Sequence, residues 1–285
     1  FIGGADADTA DYSADSDDLT VDFSGKDSVT GTGIGTDKLG GVEVVKTGSG
    51  DDEFTGSTGD ETFYGGGGAD TFYGSGGADI LSGEGGVDIF MMADTAGNDT
   101  IIGGAGIDTA DYSTDADDLT VDLSGTGSVT GTGIGTDKIS GVEFINLGTG
   151  DDTFISGSTD DTIDGSAGGQ DVADYTGFSG TLNVNLGTGI VTGDGNDKLI
   201  DFEVIKFGTG DNIITGSTNA DTIFGNSGAD TLSGTAGGDT FFGSGGTDRF
   251  IGDTATGNDT FIGGADADTA DYSADSDDLT VDFSG

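Results

Sequence analysis

The sequence contains no cysteine, histidine, tryptophan or proline, and it carries 7 basic residues against 54 acidic ones. Without cysteine the chain cannot form disulfides, and without cysteine or histidine it lacks the usual ligands of zinc and copper. The formal net charge of −47 repels nucleic acids and anionic membranes, so neither is an expected partner. Hard cations with oxygen ligands remain, and calcium is the first candidate among them.

Long hydrophobic runs are absent as well. Apolar residues make up 32% of the sequence and are scattered, so no segment approaches the roughly 20 apolar residues of a membrane-spanning helix, and no membrane insertion is expected. Glycine is abundant instead, with 60 of 285 residues. A composition that is both acidic and rich in glycine is typical of disordered chains, so only a periodic pattern would favour a fold.

Glycine, aspartate and a large apolar residue do recur every nine residues. From Gly56 the chain reads GSTGDETFY, GGGGADTFY, GSGGADILS and GEGGVDIFM, and from Gly216 it reads GSTNADTIF, GNSGADTLS, GTAGGDTFF and GSGGTDRFI. Each run follows an eight-residue variant, GSGDDEFT at Gly48 and GTGDNIIT at Gly208. A short fixed period of this kind indicates stacked repeat units.

Two longer repeats surround these runs. A segment that opens with Asp-Tyr begins at Asp11 and at Asp111, with a divergent copy at Asp174. Each copy shows strand-like alternation and contains its own nonapeptide, such as TGIGTDKLG at Thr32, so we interpret the segments as wider rungs of the same stack.

Residues 1–25 recur unchanged at 261–285, so the period is 260 residues (261 − 1). The chain is therefore interpreted as one period of a tandem array, followed by the start of the next.

Glycine, aspartate and the large apolar residue recur in every nonapeptide run, and glycine and aspartate together provide oxygen ligands. Glycine supplies the positive φ of tight turns whose carbonyls face inward, and the aspartate adds a carboxylate to them. Two nonapeptides would close one coil of about 18 residues, which places Asp70 above Asp88 and Asp79 on the opposite edge. Carboxylates ~4.8 Å apart repel by roughly 3.5 kcal/mol at an effective dielectric of 20, so we expect folding to require a bound cation.

The pattern G-G-x-G-x-D-x-U-x, with U large and apolar, resembles the repeat-in-toxin (RTX) nonapeptide, and GGGGADTFY at Gly65 matches its fixed positions. The resemblance implies an all-β fold, a right-handed parallel β-roll (β-solenoid) stacked along one axis. It also implies multiple Ca²⁺ ions between stacked turns and export by a type I secretion system.

The same resemblance carries the ligand role to individual aspartates. The full matches are Asp70, Asp79, Asp88, Asp221, Asp230, Asp239 and Asp248. The weaker matches are Asp8, Asp37, Asp52, Asp99, Asp108, Asp137, Asp152, Asp161, Asp171, Asp197, Asp259 and Asp268. Glu61 and Asn212 depart from the pattern at the ligand position, and other acids, such as Asp15, Asp17 and Asp18, are expected to be solvated.

Four modules are predicted from these repeats. Residues 1–100 form an RTX β-roll module with spacer rungs at 11–47 and a nonapeptide run at 48–91, and residues 101–163 form a shorter spacer-rung module. Residues 164–260 form a second full module with a nonapeptide run at 208–251, and 261–285 begin the next 260-residue period.

The functional prediction is a secreted, calcium-dependent structural repeat region of a bacterium, at the cell surface or outside the cell. It would form a rod, stalk, surface layer or biofilm matrix fibre, with calcium ions and further copies of itself, end to end or laterally, as partners. The alternatives are a secretion and folding module of an exported enzyme or toxin, or the extender of a large adhesin in cell adhesion. Intrinsic catalysis is not expected, because the acids are periodic rather than gathered in one cleft.

Overall fold

Short strands separated by glycine-rich turns make up the fold. The computed structural model describes residues 1–92, 97–252 and 257–273, and every regular element in these ranges is a β-strand. The predicted all-β class is therefore confirmed. No helix long and apolar enough to cross a membrane occurs among the described residues.

The chain divides into two compact units, Phe1–Asp171 and Val172–Gly285. The finer module boundaries predicted from the repeats stay a prediction, and residues 274–285 of the predicted next period lie outside the described residues. The strands of the first unit are β1 (Thr9–Asp11), β2 (Leu19–Asp22), β3 (Ser28–Gly31), β4 (Gly35–Lys38), β5 (Val44–Lys46), β6 (Glu53–Thr55), β7 (Thr62–Gly68), β8 (Thr71–Tyr73), β9 (Ile80–Gly86), β10 (Ile89–Met91), β11 (Thr100–Gly106), β12 (Thr109–Asp111), β13 (Thr120–Asp122), β14 (Ser128–Gly131), β15 (Gly135–Ser140), β16 (Phe144–Asn146), β17 (Thr153–Ile155) and β18 (Thr162–Asp164).

Successive strands of the nonapeptide run lie alternately in two sheets. The strand orders in the first unit are β1-β5-β7-β9-β11-β15-β14-β13-β17 and β4-β3-β2-β6-β8-β10-β12-β16-β18. Within the run the pairing is parallel, with Thr62 opposite Ile80 in one sheet and Thr71 opposite Ile89 in the other. Each coil therefore takes 18 residues, as the nine-residue period predicts, and the next coil takes 20.

The core is one layer of side chains between the two sheets. Phe54, Phe72 and Phe90 are fully buried, and their rings stack at 4.7 and 4.8 Å along one sheet. Phe63 and Leu81 face them from the other sheet and are equally buried. Each short strand thus buries one large residue, because its neighbours on either side point outward.

The longer segments fold differently from a simple wide rung. In each of them the chain reverses twice, so that β2, β3 and β4, and likewise β13, β14 and β15, form antiparallel meanders. The predicted nonapeptides at Thr32 and Thr132 are hairpin turns rather than roll turns, with Gly35 and Gly135 at φ 74° and 83°. The longer segments thus add antiparallel hairpins to a stack whose other strand pairs are parallel.

The second unit repeats this architecture. Its strands are β19 (Val172–Tyr175), β20 (Asn183–Asn185), β21 (Ile190–Gly193), β22 (Gly195–Ile200), β23 (Val204–Phe207), β24 (Ile213–Thr215), β25 (Thr222–Phe224), β26 (Thr231–Ser233), β27 (Thr240–Gly245), β28 (Arg249–Ile251), β29 (Thr260–Ala265) and β30 (Thr269–Asp271). Their orders are β19-β23-β25-β27-β29 and β22-β21-β20-β24-β26-β28-β30. The third predicted rung nonapeptide, at Thr192, lies where β21 turns antiparallel into β22.

Candidate metal centre

Aspartates that follow the turns stack in columns. In one column of the first unit, the backbone N–H of Asp52, Asp70 and Asp88 each donates to a carboxylate Oδ1 of the aspartate in the following coil, at 2.8 to 2.9 Å. In the other column Asp79 donates to Asp99 at 2.8 Å. Asp70 thus stacks with Asp88 and not with Asp79, as the coil length predicts.

The second carboxylate oxygen of most column members has no such donor. This Oδ2 atom is buried and has no hydrogen-bond partner among the described residues in Asp52, Asp70, Asp79, Asp88, Asp99, Asp108, Asp152, Asp230 and Asp248. We call these residues the open aspartates. A buried carboxylate oxygen without a partner is costly, and a cation with oxygen ligands removes that cost.

Glycine provides the space beside most of these oxygens. A Cβ atom on Gly65 would lie 2.1 Å from the Oδ2 of Asp70, and one on Gly83 would lie 2.0 Å from the Oδ2 of Asp88 and 2.8 Å from the carbonyl oxygen of Gly103. Any side chain at these positions would fill the space. The cradle is therefore lined by carboxylate and carbonyl oxygens, which is the donor set that calcium takes.

The second residue of several nonapeptides has a special backbone conformation. Ser75, Glu84, Asn226 and Ser244 have φ of 73°, 68°, 68° and 76°. These residues adopt a left-handed conformation at a cost of roughly 1–2 kcal/mol each.

Burial changes the acidity of the open aspartates. Burial, and then the charges of neighbouring carboxylates, raises the pKa of Asp70, Asp79 and Asp230 to about 7 and that of Asp88 to about 6. The backbone N–H bonded to each carboxylate lowers its pKa in part. Without a cation, these groups hold protons near neutral pH.

Some predicted ligands are paired with a hydroxyl instead. The Ser217 N–H donates to the Oδ2 of Asp221 at 2.7 Å, and its hydroxyl donates to Oδ1 at 3.0 Å. The Thr159 hydroxyl donates to Asp161 at 2.7 Å, and Glu61 is held in the same way by Ser57. A Ser or Thr that precedes the acid by a few residues thus supplies the hydrogen bond that the Oδ2 of an open aspartate lacks.

A tyrosine pairs with each predicted ligand of the hairpins. The hydroxyls of Tyr12, Tyr112 and Tyr175 donate at 3.0 Å to the Oδ2 atoms of Asp37, Asp137 and Asp197, respectively. The other oxygen of Asp137 accepts the N–H of Asp99 at 2.9 Å, so both of its oxygens are used. This role of the tyrosines as donors was not predicted from the sequence.

The remaining predicted ligands also lie in or beside the columns. Asp171 accepts the N–H of Asp152 at 2.8 Å, and Asp259 and Asp268 accept the N–H groups of Asp239 and Asp248 at 3.0 Å. Asp239 accepts the N–H of Asp221 at 3.0 Å.

Two glutamates were missed as column members. The backbone N–H of Asp8 donates to Glu43 at 3.1 Å, and that of Asp108 donates to Glu143 at 2.9 Å. The signal is visible in the sequence as the recurring GVEV and GVEF before a strand.

No point among the described residues is reached by three acidic side chains at once. A bound cation would therefore take one or two carboxylates and complete its shell with carbonyl oxygens of the turns. The glycine carbonyls are suitably stacked, because a Cβ on Gly68 would lie 2.1 Å from the Gly50 oxygen and one on Gly86 would lie 1.5 Å from the Gly68 oxygen. The residues present thus fit a calcium ion held between coils.

Comparison with known proteins also indicates calcium-binding repeats. The model of the RTX calcium-binding nonapeptide repeat (4 copies) matches residues 39–72, 55–90, 93–119, 133–169, 208–241 and 224–254, which together span more than half of the chain. A search of curated proteins finds no match. The columns of open aspartates, the glycine cradles and these matches lead to one conclusion, that the chain belongs to the RTX calcium-binding nonapeptide repeat family.

Proposed function

We propose that this chain is part of a secreted bacterial structural repeat protein whose coils fold on calcium outside the cell. The observation that carries the proposal is the set of open aspartates, each with a buried unpaired oxygen and most with a glycine beside that oxygen. In the cytosol, where free calcium is low, the chain would stay unfolded for export through a type I system. Folding would follow when external calcium fills the cradles.

The energetics support calcium as the folding switch. A formal net charge of −47 opposes compaction, and each strand buries one large side chain. One ion at ten times its dissociation constant contributes about 1.4 kcal/mol by mass action, so a dozen ions contribute about as much as a whole domain's stability.

Circular dichroism with and without calcium tests this function. In EDTA the far-UV spectrum should be that of an unfolded chain, and millimolar calcium should produce a β spectrum. Magnesium should substitute poorly, because it prefers smaller octahedral sites and keeps its waters. A β spectrum that persists in EDTA would contradict the proposal.

The tandem repeat supports a structural role. Residues 261–271 repeat residues 1–11, and in the second unit they continue the stack as β29 and β30, in parallel register with β27 and β28. The Phe261 ring packs 5.4 Å from Phe241 and 5.1 Å from Phe250. A new period therefore adds to the coils of the previous one without a break, as a rod, stalk, surface layer or matrix fibre requires.

Electron microscopy distinguishes this role from that of a secretion module or an adhesin extender. The native material in calcium should show thin fibres or rods with an axial repeat of at most about 70 Å, which is the length of roughly 14 coils of 18 residues spaced ~4.8 Å apart. The fibres should dissolve in chelator. Globular particles that a chelator does not affect would contradict the structural role, and a catalytic or ligand-binding domain encoded next to the repeats would favour the alternatives.

A further inference from the structure

Exposed apolar side chains gather in one part of the first unit. Apart from Phe1 and Ile2, the exposed large hydrophobic residues in the described part of this unit all lie within residues 73–107. They are Tyr73, Ile80, Val87, Ile89, Ile102 and Ile107. Single apolar residues scattered over a surface are ordinary, whereas a contiguous group of them marks a contact with a partner.

The strand register places most of these residues on the outer face of one sheet. Burial alternates along β10, with Asp88 and Phe90 buried while Val87 and Ile89 are exposed. The same alternation holds in β8 and β12, which pair with β10 on either side in parallel register. We call the outward positions of these three coils the apolar face, and they are Ala69, Thr71, Tyr73, Val87, Ile89, Met91, Ile107, Thr109 and Asp111.

The apolar face is nearly free of charge in a strongly acidic chain. Asp111 is its one charged residue, although the chain as a whole has 54 acidic residues and a formal net charge of −47. Its largest contributors are well exposed, with Val87 at 55% and Ile107 at 65%. Two copies of such an acidic molecule repel wherever their acids meet, so a second copy can approach through this face.

The second unit has the same coils without the apolar face. There β28 pairs with β26 and β30 in the parallel register that β10 has with β8 and β12. The residues 160 positions after Tyr73, Val87, Ile89 and Ile107 are Ser233, Thr247, Arg249 and Ala267.

This internal comparison separates the apolar face from the packing of the roll. In the second unit the exposed Arg249 forms an ion pair with Asp271 of the next coil, and the parallel strands are kept. The roll thus accepts polar side chains at these outward positions. The apolar residues of the first unit are therefore not required by its own fold, and contact with a partner is the role left for them.

We infer that the apolar face is a lateral contact between two copies of this chain, which pack on each other through it. The outer face of a sheet can pair with its own copy across a two-fold axis, and sheets pack face to face ~10 Å apart. Bound calcium lowers the negative charge that opposes the contact, so the copies associate in calcium and separate in chelator. This inference rests on the proposed structural role and names the surface by which rods join side by side.

The size of the apolar face sets the strength of the contact. Three coils ~4.8 Å apart and five residues at ~3.3 Å each cover roughly 200 Å², whereas a stable interface buries about 800 Å² on each partner. Single periods therefore associate weakly. In a tandem array the face recurs every 260 residues, and linked contacts strengthen one another through their effective concentration.

Analytical ultracentrifugation of the full chain in calcium tests the face by removal. The parent chain should show reversible dimers across a concentration series. The triple variant V87T/I89R/I107A, which takes the residues of the second unit, should weaken this association by about tenfold or more, because it removes the apolar area that the contact buries. The matched control I80T/I102T removes two exposed isoleucines from the outer face of the other sheet and should associate like the parent.

A gain of function tests the same face in the second unit. The variant T247V/R249I/A267I should give each chain two apolar faces and form species larger than dimers. Monomers throughout, in the parent and in this variant, would overturn the inference, as would full association of V87T/I89R/I107A or its loss in I80T/I102T. Circular dichroism in calcium keeps the two proposals apart, because monomers with a β spectrum contradict the lateral contact alone, whereas a parent chain that gains no β spectrum in calcium contradicts the proposed function.

Discussion

At the scale of the residue, the second oxygen of each carboxylate decides its role. Asp88, an open aspartate, accepts a backbone N–H with one oxygen and has the other, unpaired, beside Gly83. Asp137 also accepts a backbone N–H from its column neighbour with Oδ1, but its Oδ2 accepts a hydrogen bond from the hydroxyl of Tyr112. The same residue type in the same column thus serves as a candidate calcium ligand in one coil and as a hydrogen-bond acceptor in another.

Two substitutions should separate these roles. Asp88→Asn removes a candidate ligand and should raise the calcium concentration at half-folding, without destabilising the calcium-free chain. Tyr112→Phe leaves a buried oxygen of Asp137 unpaired and should cost about 1–3 kcal/mol, with the number of bound ions unchanged. Calcium-titrated circular dichroism and urea denaturation measure both. A lower calcium count in Tyr112→Phe would instead place Asp137 among the ligands.

The raised pKa values predict an unusual pH dependence for the calcium-free chain. Asp70 and Asp79 have a pKa of about 7 in the fold against 3.8 for an ordinary aspartate, so the folded chain holds protons that the unfolded chain releases. This stabilisation is complete below pH 3.8 and is lost as the pH rises through about 7. Calcium-free protein should therefore show more β structure at pH 5 than at pH 8, and an opposite trend would contradict the desolvated environment of these groups.

At the scale of the element, glycine spacing and carbonyl stacking make the turns. Gly86 has φ 146°, and a Cβ there would lie 1.5 Å from the backbone oxygen of Gly68. Neighbouring coils approach so closely that no side chain fits between their turns. The hairpins of the longer segments interrupt this stacking, because two reversals of direction place antiparallel strands within one coil.

Gly86→Ala should therefore destabilise the fold by well over about 1 kcal/mol, since both the backbone conformation and the space exclude a methyl group. Gly125 is the matched control, because it has no atom within 4 Å of its Cβ position and no left-handed φ. Gly125→Ala should change stability by less than about 1 kcal/mol. Thermal denaturation in saturating calcium measures both variants, and equal melting temperatures would contradict the close stacking.

At the scale of the whole molecule, charge opposes folding in two separate ways. Exposed acids such as Asp60 repel through solvent, while ionisation of the open aspartates places buried charges next to one another. Salt screens the first kind of repulsion and has little effect on the second. Calcium bound in the cradles reduces both kinds of repulsion, because it adds positive charge to the chain and directly contacts the buried carboxylates.

Sodium chloride should therefore not replace calcium. In EDTA with 1 M NaCl, where the Debye length is about 3 Å, the chain should remain without a β spectrum, because monovalent ions do not offer a divalent charge to the cradle oxygens. Millimolar calcium at the same ionic strength should restore the spectrum. Folding by salt alone would mean that a diffuse counterion layer, rather than defined sites, controls the transition.

The sequence by itself determined the repeating part of the molecule. A nine-residue period of Gly, Asp and a large apolar residue is a local rule, so it predicts the 18-residue coil, the inward Phe72 and Phe90, and the column that joins Asp70 to Asp88. These features follow from the geometry of one nonapeptide, which repeats along the chain without change. The same rule predicts calcium as the ion.

Only the tertiary structure decided which carboxylates have an unpaired oxygen. Whether Asp137 accepts the hydroxyl of Tyr112, and whether Asp221 accepts from Ser217, depends on contacts between residues far apart in the chain or on the conformation of a single turn. The nonapeptide pattern contains none of this information, because a hydrogen-bond donor from another coil leaves no mark on the local spacing. The division of one column into open and paired carboxylates is therefore a property of the packed coils.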